Sequence, residues 1–194
     1  MGGMEQTGGW GAATLPHVSV LVVLATKAEG THVPAGLRQV ITGLGKTAAA
    51  VATTRAILEE QPSLVVNVGS AGALRDGLHG VYEIGTVVNH DMSADLVRSL
   101  GYDPREVLTL SDHDTVLASG DVFVTDPLVR GRLAERAHLV DMEGYAVAFA
   151  CQELGVPLRM AKHVSDQADE SAMDWPDLVE LSAQAIGEWL EQNL

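Results

Sequence analysis

Three strand-like runs, separated by stretches with helical spacing, constrain this chain's fold more than any other feature. "VSVLVVLA" (Val18–Ala25) is continuous, β-branched and bounded by polar residues, the pattern of a strand buried on both faces. "LVVNVGSAGAL" (Leu64–Leu74) reads as a strand running into a glycine turn, and "LRMAKHVSD" (Leu158–Asp166) as another strand. Between them, Lys46 to Gln61 carries Ala49, Val51, Ala52, Ile57 and Leu58 at helical spacing until Pro62 stops it. Arg38–Thr42 and Glu83–His90 read as further strands, and Asp114–Val124 as one or two more. Asp126 suits the N-cap of a helix through Arg136, with Pro127 in its first turn. "HLVDM" is short; a helix follows from about Glu143 to Leu154. The last helix comes after Trp175-Pro176 and carries Leu178, Leu181, Ala185, Ile186 and Leu190. Strand–helix alternation of this kind predicts an α/β fold, a three-layer αβα sandwich around a central, mostly parallel or mixed sheet.

The 194 residues suit one domain, expected over 17–194, preceded by a glycine-rich arm at 1–16. In such folds ligands bind beyond the carboxyl ends of the strands. Polar residues gather at those ends: Glu29 after the first strand, Ser70 after "VVNVG", and Ser165-Asp166 after "RMAKHV".

The net charge of -14, from 26 acidic and 12 basic residues, repels nucleic acid and anionic lipid, so neither is an expected partner. The longest early apolar run is far short of the roughly 20 residues needed to cross a bilayer. The single cysteine, Cys151, forms no internal disulfide and fits a reducing, cytoplasmic setting. Its place in "AVAFACQELG" reads as a small core hydrophobe.

"ITGLGKTAAA" (Ile41–Ala50) raises the question of a phosphate-binding P-loop. That pattern requires a glycine five places before Gly45, and the position holds Val40. The P-loop is absent, and the glycines serve another strand–turn–helix junction.

Taken in order, "TGLGKTAAA" (Thr42–Ala50), "NVGSAGAL" (Asn67–Leu74) and "VDMEGYAVAFACQELGVPLRMAKHVSDQAD" (Val140–Asp169) resemble the nucleoside phosphorylase and nucleosidase superfamily. The branch most resembled is the 5'-methylthioadenosine/S-adenosylhomocysteine nucleosidases. The sharpest matches are Met142-Glu143 opening a helix and Ser165-Asp166 closing the next strand.

The resemblance implies hydrolysis of a purine N-glycosidic bond, with a general acid on one side of the sugar and a general base on the other. Asp166 matches the acid that protonates purine N7, a task that requires a protonated carboxyl. Glu29 matches the base that activates water. Glu143 matches the acceptor of the ribose hydroxyls, with Met142 packed against the sugar. Phe123 and Val124, in "SGDVFV", match the aromatic platform under the base and the backbone that reads its edge. Ser70 and Gly72 belong to the turn where backbone approaches nucleoside or water, and Ser165 adjoins the acid. No cofactor or metal is implied. The partners implied are a small-molecule nucleoside and a second copy of the chain, as a homodimer.

Phosphorylases of this superfamily need cations for phosphate, and the hexameric type carries an arginine where this chain has Asn67. The loop around Glu29 has none either, which favours water. Two alternatives stay open: a phosphorylase completed by an arginine from elsewhere, and a catalytically silent nucleoside-binding relative. Asp141 and Lys162 stand where the nucleosidases usually have glutamate and arginine. The stretches from Glu29 to Gly43 and from Asn89 to Asp114 are shorter than usual, leaving the 5' substituent open. "NHDMSAD" (Asn89–Asp95) and "SDHDT" (Ser111–Thr115) read as polar loops rather than a metal site, and His163 as a packed or surface histidine. "DESAMDWPDL" either folds over the site or caps the final helix.

Overall fold

The structure, a computed structural model, describes residues 19–194, so the arm at 1–16 lies outside the described residues. The strands are β1 (Val20–Leu24), β2 (Arg38–Ile41), β3 (Leu64–Ala73), β4 (Val81–Glu83), β5 (Thr86–Asn89), β6 (Val107–Thr109), β7 (Val116–Ser119), β8 (Leu139–Asp141) and β9 (Leu158–Asp166). They form one mixed sheet of nine strands among the described residues. The helices are α1 (Lys46–Glu60), α2 (Ala94–Ser99), α3 (Pro127–Ala134), α4 (Gly144–Leu154) and α5 (Trp175–Asn193).

Period-two alternation along the central strands assigns the layers. Leu21, Val23 and Val65 pack with Ala49, Ala56 and Ile57 of α1 and Val147 and Cys151 of α4. Val22, Leu24, Val66 and Val68 face the other way, onto Ile186 and Leu190 of α5. The sheet is therefore covered on both faces, the αβα arrangement. Among the described residues no helix is long and apolar enough to cross a membrane.

Sheet topology decides where a site can form. β2, β1, β3 and β9 run parallel to one another, and so do β5, β7 and β8, while β4 and β6 pair antiparallel with β9 and β5. The two groups join at β3 and β8, which are antiparallel through only Gly72↔Val140 and Ala73↔Leu139. Carboxyl ends from both groups thus converge on a single junction. β9 covers one edge of β3 from Val65 to Gly72. β1 covers the start of the opposite edge and β8 its end, leaving residues 68–71 between them without a strand partner on that side.

Several expectations change. β3 does not end in a turn at Gly69: it runs through Ala73 because β9 pairs with it along almost its whole length, with one register shift at Ala71/Gly72. Glu83–His90 is two strands, because the chain changes partners. Ile84 N–H donates to Met160 O of β9, whereas Gly85 N–H donates to Thr115 O beside β7. His113 O lies 1.7 Å from where a Gly85 Cβ would stand, so only glycine allows that crossing. The switch links both strand groups and curls the sheet around Ile84, Val87, Leu117, Leu139 and Met160.

Asp114–Val124 holds only β7, the rest being loop. Two short elements, α2 and β6, have no counterpart in the sequence reading. On α1, Thr53 takes a buried place while Val51 and Leu58 are exposed. The Asp126 cap is present, its side chain accepting from Leu128 N–H.

Candidate active site

A cleft of about 680 Å³, counted to its solvent-open mouth, lies at the β3–β8 junction. All nine side chains or backbone positions singled out in the sequence line it: Glu29, Ser70, Gly72, Phe123, Val124, Met142, Glu143, Ser165 and Asp166. Leu44, Val122, Asp141 and Ala172 line it as well.

Glu29, in the loop after β1, is buried. The loop after β1 folds back so that Glu29 Oε2 accepts from Thr26 N–H (3.0 Å) and Thr26 Oγ (3.1 Å). Its Oε1 accepts from Ser70 N–H (2.8 Å) and Ser70 Oγ (2.9 Å). Ser70 lies on the edge of β3 left open between β1 and β8, and its N–H goes to the carboxylate instead of a strand. Gly69 provides the room, since a Cβ there would stand 3.1 Å from Glu29 Oε1 and 3.5 Å from Lys162 Nζ.

Two further acids, Glu143 and Asp141, line the cleft. Glu143 stands at the N-cap position of α4 and, instead of capping its own helix, reaches across to accept from Gly45 N–H at 2.7 Å. Gly45 is in the left-handed region (φ 88°) and precedes α1, so the glycine turn presents an amide to the cleft. Burial first, then the nearby Asp141 carboxylate, push Glu143 up to about 7. Asp141 ends β8, where its Oδ2 accepts from Gly144 N–H (2.9 Å) and Lys162 Nζ (2.9 Å) and its Oδ1 from Ser119 Oγ. Lys162 is buried on β9. Burial opposes its charge, but Asp141 and then Glu143 outweigh that and hold the ammonium protonated beyond its ordinary range.

Asp166 ends β9 half-buried. Its Oδ1 accepts from Ala168 N–H (2.8 Å) and its Oδ2 from Ser165 Oγ (2.7 Å). Gly72 faces it closely: a Cβ there would come within 2.9 Å of both Asp166 Oδ1 and Ala168 Cβ. Phe123 is not in a strand but in the loop after β7. It is 49% exposed, a large ring open to the cleft rather than packed in the core. Val124 beside it is buried, and Met142 is half-buried.

Asp141, Lys162 and the Gly45 amide are parts of the site that the sequence reading did not assign. The signal for the first two was their departure from the family's usual residues. The Gly45 contact spans 98 positions and has no local signature. Ala172 in the tail segment reaches the cleft wall. His163 hydrogen-bonds Ser182 Oγ (2.9 Å) on α5, away from the cleft lining. Among the described residues no three His, Cys, Asp or Glu side chains are grouped to hold a metal ion.

This geometry can be set beside known proteins. The chain is 27% identical over 202 residues to the 5'-methylthioadenosine/S-adenosylhomocysteine nucleosidase of Shewanella baltica (strain OS185), across 84% of this chain and 86% of that protein. Its fold is similar to that of a Helicobacter pylori MTAN mutant with 5'-methylthioadenosine in the active site. There the TM-score is 0.81 and the identity 24%, over 91% of this chain and 97% of the other. The native futalosine hydrolase of Helicobacter pylori matches at a TM-score of 0.79 and 26% identity, over 90% and 96% of the two chains. The family model of the phosphorylase superfamily matches residues 37–192. That span takes in every strand around the cleft except β1, and the chain belongs to the phosphorylase superfamily.

Proposed function

We propose that the protein is a purine nucleosidase that hydrolyses the N-glycosidic bond of an adenine nucleoside carrying a 5' substituent. The observation that carries this reading is the convergence of Glu29, Glu143 and Asp166 on one cleft that also holds an exposed aromatic ring.

Cleavage builds positive charge on the sugar while the bonding electron pair moves into the base. Asp166 donates a proton to purine N7, so the base leaves neutral. Glu143, ionised, accepts hydrogen bonds from the ribose hydroxyls and favours the charge growing on the ring. Glu29 takes a proton from a water that attacks C1' from the opposite face, with Ser70 beside it. The C–N bond breaks, a C–O bond forms, one proton leaves Asp166 and one arrives on Glu29. Phe123 stacks on the base and Val124 lies at its edge.

Water rather than phosphate is the nucleophile in this reading. No Arg or Lys is among the described residues lining the cleft, and buried Lys162 is engaged by Asp141. A phosphate dianion there would lack the charge-assisted hydrogen bonds that hold it. The relatives act on 5'-methylthioadenosine, S-adenosylhomocysteine or futalosine by their names, and these define the substrate panel. The reading extends to a homodimer, supported by Val51 and Leu58 exposed on α1, Leu96 on α2 and Leu100 just after it, and to a cytoplasmic setting.

The test is release of free adenine from 5'-methylthioadenosine in phosphate-free buffer. Turnover without phosphate, lost in Glu29→Gln, is the expected result. Turnover that appears only after phosphate is added would reassign the chain as a phosphorylase, and tight binding with no turnover as a silent relative.

A further inference from the structure

The lysine of the glycine turn, two residues after the cleft-lining Leu44, has no part in the chemistry above, yet its side chain is held by two acceptors. Lys46 Nζ donates to Asn89 Oδ1 (2.8 Å) and pairs with Asp91. Asp91 Oδ2 in turn accepts from Asp121 N–H (2.8 Å), and Asp121 Oδ1 accepts from Lys46 N–H (2.7 Å). The three residues close a ring of hydrogen bonds joining three separate loops: the turn before α1, the end of β5 and the loop after β7.

Each loop carries, or supports, something the site uses. Gly45, one residue before Lys46, donates to Glu143 Oε1 at 2.7 Å. Phe123 and Val124 follow Asp121 by two and three residues. Successive amides at the start of α1 thus point one to the ribose-side acceptor and one to the loop holding the aromatic ring. The fit leaves no slack: a Cβ on Gly45 would stand 3.0 Å from Asp121 Oδ1, and one on Gly120 would stand 2.4 Å from His90 Nε2. The Lys46–Asp91 pair is largely shielded, with side chains 18% and 23% exposed. Burial is the largest single influence and would raise the Asp91 carboxyl, but the hydrogen bonds from Lys46 and the Asp121 amide, with the Lys46 charge, together outweigh it and hold Asp91 below its ordinary range.

We infer that Lys46 is a positioning residue which, through Asp91 and Asp121, locks the glycine turn to the aromatic loop and so sets the spacing between Glu143 and Phe123. This rests on the nucleosidase reading for its effect on turnover, but not for its effect on the loops. A displacement of about 1 Å between groups that hold the two ends of a substrate costs up to about a hundredfold in efficiency.

The experiment compares Lys46→Met, Asp91→Asn, their double variant and Lys46→Arg with the unaltered protein. Two readouts are followed: amide hydrogen exchange in ligand-free protein, and kcat and KM for 5'-methylthioadenosine. Expected is faster exchange at residues 43–46 and 120–124 together in each single variant. The double variant should show no further increase, and Lys46→Arg should keep most of the protection. KM should rise roughly tenfold or more while kcat falls less than about threefold. Faster exchange confined to 43–46, additive effects in the double variant, or unchanged KM would each overturn the inference. An unaltered protein that cleaves no nucleoside would sink the proposed function, while the exchange data would still decide the role of Lys46. Asp91→Asn, nearly isosteric, keeps the test open if Lys46→Met fails to fold.

Discussion

Lys162 places its ammonium 2.9 Å from Asp141 Oδ2, and both side chains are almost wholly removed from solvent. An ion pair so buried is costly to break from one side, because the remaining charge has neither water nor partner. Lys162→Met or Asp141→Asn alone should lose about 3–5 kcal/mol of stability, whereas removing both charges should recover much of the loss. Chemical denaturation of the two single variants and the double variant measures this. A double variant whose loss is the sum of the two single losses would show that the pair is not the unit.

Glu143 should make both stability and substrate binding depend on pH. Its carboxyl sits at about 7 in the folded chain against an ordinary 4.5. The folded state therefore binds the proton more tightly, so this group's contribution is complete below about pH 4.5 and is lost as pH rises through 7. The loss amounts to up to about 3 kcal/mol. Glu143→Gln should not show it, and denaturation of both proteins from pH 4 to 8 is the measurement. If the ionised carboxylate holds the ribose hydroxyls, nucleoside affinity rises over the same interval in which stability falls.

Gly72→Ala tests the acid from behind. The added methyl meets Asp166 Oδ1 and Ala168 Cβ each at 2.9 Å, so both must give way. The expected cost is about 1–3 kcal/mol in stability, as for other overpacked sites. A larger relative loss is expected in kcat if Asp166, one of the groups displaced, is the proton donor of the proposed reaction. Unchanged kcat in a folded Gly72→Ala protein would argue against Asp166 as the acid.

Phe123→Ala should separate binding from folding. Because the ring is about half exposed, its removal should change stability by no more than about 0.5 kcal/mol. Loss of a stacking surface worth about 0.5–1.5 kcal/mol should weaken adenine binding roughly threefold to tenfold. Titration calorimetry with free adenine, paired with thermal unfolding, distinguishes this from a core residue, which would lose stability first.

What the sequence determined by itself was whatever depends on neighbours along the chain. Uninterrupted apolar residues identified β1, the Pro62 stop ended α1, and Asp126-Pro127 marked the start of α3, since solvation, propensity and capping act over a few residues. That Glu29, Glu143 and Asp166 would gather at one cleft was legible as well, through the ordered motifs around the last two and the distance of the first from its strand. Tertiary structure alone decided what those acids touch. That Ser70 donates twice to Glu29 Oε1, that Gly45 reaches Glu143, and that Lys162 neutralises Asp141 are contacts between residues far apart in the chain, brought together near the antiparallel join of β3 and β8. The same holds for the break at Gly85, where the chain leaves β9 for β7. Pairing of strand edges is a long-range choice made by the whole sheet, and no local pattern records which edge will be free to receive a side chain.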